Sequence, residues 1–118
     1  LNSLVDDSCF ITTACVKAQG SQFDDNCHEL VKLREVRDNY IAHLEHGPAL
    51  IAAYKEFAPK YVEMINRLED SDKVWSDLHT RFIGPAVEFA DQGDNKRAYL
   101  TYLLMLQYIQ EVTSFGGA

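Results

Sequence analysis

Between Asn26 and Glu45, apolar residues return at steps of three and four: Leu30, Leu33, then Val36 or Arg37, then Tyr40, Ile41 and Leu44. Such steps match the 3.6-residue turn of an α-helix and gather these side chains into one stripe that needs a partner surface. Asp24, Asp25 and Asn26 supply cap candidates and negative charge at the start of this segment, where the helix dipole favours them. No pair of alternating apolar and polar runs offers two strands to a sheet, so the chain is predicted to be all-α, a compact bundle of about five helices.

Punctuation residues divide the rest. Ser8 is placed to cap a first helix from about Cys9 to Gln19, stopped by Gly20. That segment, CFITTACVKAQ, is rich in β-branched residues and by composition alone suits a buried strand as well as a helix; the helix is preferred because nothing else in the chain would pair with such a strand. Gly47-Pro48 ends the second helix and starts a third that runs to about Leu68, with a kink or break expected near Ala58 because Pro59 removes a backbone donor. Ser71 is the expected cap of a fourth helix, interrupted at Gly84-Pro85 and ending near Gly93. Asp94 caps a fifth, whose core DNKRAYLTYLLMLQYIQEV is the most hydrophobic stretch and is expected at the centre of the bundle.

The 118 residues are enough for one domain, 1–118, with a core of its own. Eleven Lys and Arg against eighteen Asp and Glu give a net charge of −7, a balance that repels phosphate backbones and anionic lipid surfaces. Nucleic acid and membranes are therefore not expected as partners, and charged residues break every apolar run short of a membrane span. The chain begins at Leu1 and shows no basic segment followed by an apolar one, which suits a processed product or a fragment. A soluble chain is expected; its compartment is left open, with a leaning to the cytoplasm.

Cys9, Cys15 and Cys27 are odd in number and too few for a disulfide scaffold. Cys15 and Cys27 flank the loop between the first two helices, so an antiparallel hairpin would bring them together. Closing that loop would contribute about 3 kcal/mol in the chain-entropy model, in an oxidising compartment only; the alternative is two small thiols packed in the hairpin. Cys9 stands at a helix N-terminus, where the dipole favours a thiolate, but Asp6 and Asp7 oppose it. His28 beside Cys27 raises a metal-binding alternative, although C-x5-C-x11-C-H matches no zinc pattern and no metal or cofactor is expected. His43 and His46 read as solvated residues near a helix end, and the six tyrosines as bundle packing with hydroxyls at the surface.

The block Cys9-Phe10-Ile11-Thr12-Thr13-Ala14, followed by Leu33-Arg34-Glu35-Val36-Arg37-Asp38-Asn39-Tyr40, resembles the bacterial CFI-box domain, whose members read roughly CF(I/L)xTA and then LRxFRDxxL. Cys15 and the turn Asp24-Asp25-Asn26-Cys27 are similar to the second and third cysteines of its longer branch; Val36 stands where the family often has an aromatic. The resemblance covers positions 8–45 and implies that Cys9, Thr12, Thr13, Arg34, Arg37 and Asp38 are signature positions joining the first helix to the second. The family has no settled biochemical role. Arg37 and Asp38 are expected to fix those helices together rather than to turn over a substrate. The function expected is a helical accessory or protein-interaction module of a larger bacterial protein, its partner another protein or a neighbouring domain; the alternatives are a thiol-dependent activity centred on Cys9, with His28 or Arg37 as activator, and a metal-binding module using Cys27 and His28.

Overall fold

A computed structural model describes residues 14–15 and 28–114. Within them the chain is all-α, with no strand. The elements are α1 (His28–Asn39), a 3₁₀ turn (Ile41–His43), α2 (Gly47–Asn66), α3 (Ser71–Leu78), a π turn (His79–Ile83), α4 (Gly84–Asp91) and α5 (Asn95–Ser114). Ala14 and Cys15 are helical, in keeping with the helix expected there. Cys9, Thr12, Thr13 and Cys27 lie outside the described residues.

The stripe read on α1 is real: Leu30, Leu33 and Val36 are all buried. The helix stops earlier than expected, however, at Asn39 rather than Glu45. Tyr40 turns its ring toward Tyr99 of α5, with centroids 6.0 Å apart, and the next residues tighten into the 3₁₀ turn. Gly47 opens α2 instead of closing the preceding helix. A Cβ at Gly47 would overlap the Ile41 carbonyl oxygen, so the tight approach of α2 to the 3₁₀ turn requires glycine there.

Neither a break at Ala58 nor a cap at Ser71 is found. α2 runs unbroken through Pro59; Pro59 and Lys55, whose carbonyl loses its donor, both face solvent, and water can take that acceptor. Ser71 is the first residue of α3, and Asp70 holds the cap position without a side-chain bond. The Gly84-Pro85 interruption appears as the π turn: the Gly84 N–H reaches back to the His79 carbonyl oxygen, a step of five residues that accommodates the proline following it.

The end of α4 follows the expected glycine logic in detail. Gly93 has φ +81°, and the Asp94 and Gly93 N–H groups donate to the Phe89 and Ala90 carbonyls at 2.8 and 3.0 Å, the two bonds of a Schellman ending. Asp94 then caps α5, its Oδ1 accepting from the Arg97 backbone N–H at 3.1 Å.

The core gathers Leu33, Ile65, Val74, Trp75, Leu78, Ile83, Met105 and Ile109, drawn from every α-helix except α4, which adds Ala86 and Val87. α5 packs along α4 and buries Ala98, Met105 and Ile109. It is not a central helix surrounded on all sides: Leu100, Leu103 and Leu104 are exposed. No helix among the described residues is long and apolar enough to cross a membrane.

Candidate functional site

α2 carries two apolar stripes. Tyr54, Ala58, Tyr61 and Ile65 face the core or its edge, while Leu50, Phe57 and Met64 are exposed and spaced seven residues apart. Seven residues is within about 20° of two whole turns, so the second stripe runs nearly straight along the helix. Every large apolar side chain exposed among the described residues belongs to α2 or to its neighbour α5, with Phe57 at 48% and Leu104 at 57% exposure. Apolar side chains scattered singly are normal on a protein surface, but here all six lie on two packed helices, and Leu50 and Leu103 line one pocket between them.

A pocket of about 100 Å³ opens in this region, between α1, the 3₁₀ turn, α2 and α5. Leu33, Val36, Ile51, Ala98 and Leu106 supply apolar walls, and the exposed Leu50 and Leu103 mark its mouth. Polar groups of Arg37, Tyr54, Tyr99 and Tyr102 also line it. Tyr54 and Tyr102 share a hydrogen bond at 2.8 Å between their hydroxyls, with tilted rings 5.9 Å apart. Arg37 donates from Nε and Nη2 to the two carboxylate oxygens of Asp38, at 2.7 and 3.0 Å.

Of the signature residues, Arg34, Arg37 and Asp38 are among the described residues. Arg37 and Asp38 pair with each other along α1, Arg34 stands part-buried on the same helix, and the other signature positions, Cys9, Thr12 and Thr13, fall outside the described residues. Cys15 is a buried free thiol whose Sγ bonds the Trp75 carbonyl oxygen at 3.4 Å. Burial, and next the Glu29 carboxylate, push its pKa up to about 12, so it stays protonated at neutral pH and is a poor nucleophile. Its expected pairing with Cys27 involves a residue that is not described.

Sequence reasoning missed two long-range pairs. His79 Nε2 meets Glu29 Oε2 at 2.6 Å, and His28 Nε2 lies 2.9 Å from both Asp91 carboxylate oxygens. Together they tie the first turn of α1 to the π turn and to the end of α4. Lys32 adds ion pairs to Glu35 at 3.2 Å and Asp91 at 3.9 Å, the mixed-charge face expected of this helix. His43 and His46 are exposed, as expected. No group of three or more His, Cys, Asp or Glu side chains is arranged to hold a metal ion among the described residues.

No family model, no curated protein and no solved structure matches this chain.

Proposed function

We propose that the chain is a non-enzymatic helical interaction module, of the bacterial CFI-box kind that its signature residues resemble, and that it docks another protein or a neighbouring domain through exposed apolar residues of α2 and α5. The observation that carries this reading is the confinement of Leu50, Phe57, Met64, Leu100, Leu103 and Leu104 to two adjacent helices. Fully burying a Leu, Phe or Met side chain is worth about 1.5–3 kcal/mol, so each half-exposed one leaves roughly half of that unrealised until a partner covers it. The straight seven-residue stripe on α2 suits a helical partner, whose side chains interdigitate with such a seam.

The test is site-specific photo-crosslinking in cells that make the protein. A benzophenone amino acid placed at Phe57 or Leu103 is expected to give a discrete protein adduct, and one placed at exposed Lys73 or Glu88, on the other helices, is not. Adducts absent from Phe57 and Leu103, or equally strong from all four positions, would overturn the reading.

A further inference from the structure

We draw no further inference here: the strongest candidate, the apolar pocket between α1, the 3₁₀ turn, α2 and α5 with exposed Leu50 and Leu103 at its mouth, carries nothing because nothing in the structure shows what covers it.

Discussion

Replacing Cys15 by Ala should change how the protein responds to alkali. In the folded chain the thiol is raised from 9.0 to about 12, by burial first and the Glu29 carboxylate second. A group whose folded pKa lies above its unfolded one stabilises the fold below the unfolded value, and that contribution is lost as pH climbs toward the folded value. Below pH 9 both states keep the proton, so no dependence arises. Above it the unfolded chain releases a proton that the native chain retains, and each pH unit in the window is worth about 1.4 kcal/mol. Between pH 8 and pH 10 the parent should therefore lose about 1.4 kcal/mol more stability than Cys15→Ala, rising to about 2.7 kcal/mol by pH 11. The tyrosines and lysines that also titrate there are common to both proteins and cancel in the difference. At pH 7 the variant should be the less stable by about 1 kcal/mol, for the lost sulfur and its packing. Urea unfolding of both proteins at pH 7, 8, 10 and 11 measures these differences. Parallel pH profiles would refute the placement of Cys15 in a desolvated site beside Glu29.

Three further outcomes follow from particular contacts. On α5, Ile109→Ala should cost about 2–5 kcal/mol and Leu104→Ala less than about 1 kcal/mol, because the first side chain is fully buried and the second is 57% exposed; thermal unfolding of the pair checks which face of α5 is inside. Gly93→Ala should cost about 1–2 kcal/mol, since φ +81° crowds a Cβ against the backbone, and denaturant midpoints read it directly. His79→Ala and Glu29→Gln should each cost about 1 kcal/mol near neutral pH and show coupling in a double-mutant cycle, the pair being 2.6 Å apart and less than a third exposed.

What the sequence made legible was local. The stripe Leu30, Leu33 and Val36, the Gly93 stop, the Asp94 cap and the Gly84-Pro85 interruption each depend on a few neighbouring residues, and each is found where their chemistry puts it. Where long-range packing decides, local rules gave way. Tyr40 leaves the helix to meet Tyr99, and Pro59 stays inside α2 because its face is wet. The exposed face escaped notice because a leucine-rich α5 reads as core by composition, and only the fold shows that Leu104 points outward. One signal was nevertheless present: Leu50, Phe57 and Met64 form a seven-residue series distinct from the stripe of Tyr54, Ala58, Tyr61 and Ile65, one apolar stripe more than a simple surface helix needs. The pairs His79–Glu29 and His28–Asp91 join residues 50 and 63 positions apart, and no spacing rule reaches that far.

The most direct measurement is the affinity of the partner identified by crosslinking for the parent and for the double variant Phe57→Ser, Leu103→Ser, read by isothermal titration calorimetry. Both side chains are more than a third exposed in the free chain, so the variant should unfold at a temperature close to that of the parent while its Kd rises about 100-fold, as expected when two interfacial anchors of roughly 1.5 kcal/mol each are removed. A double variant that binds within threefold of the parent would contradict the claim that α2 and α5 present the docking face.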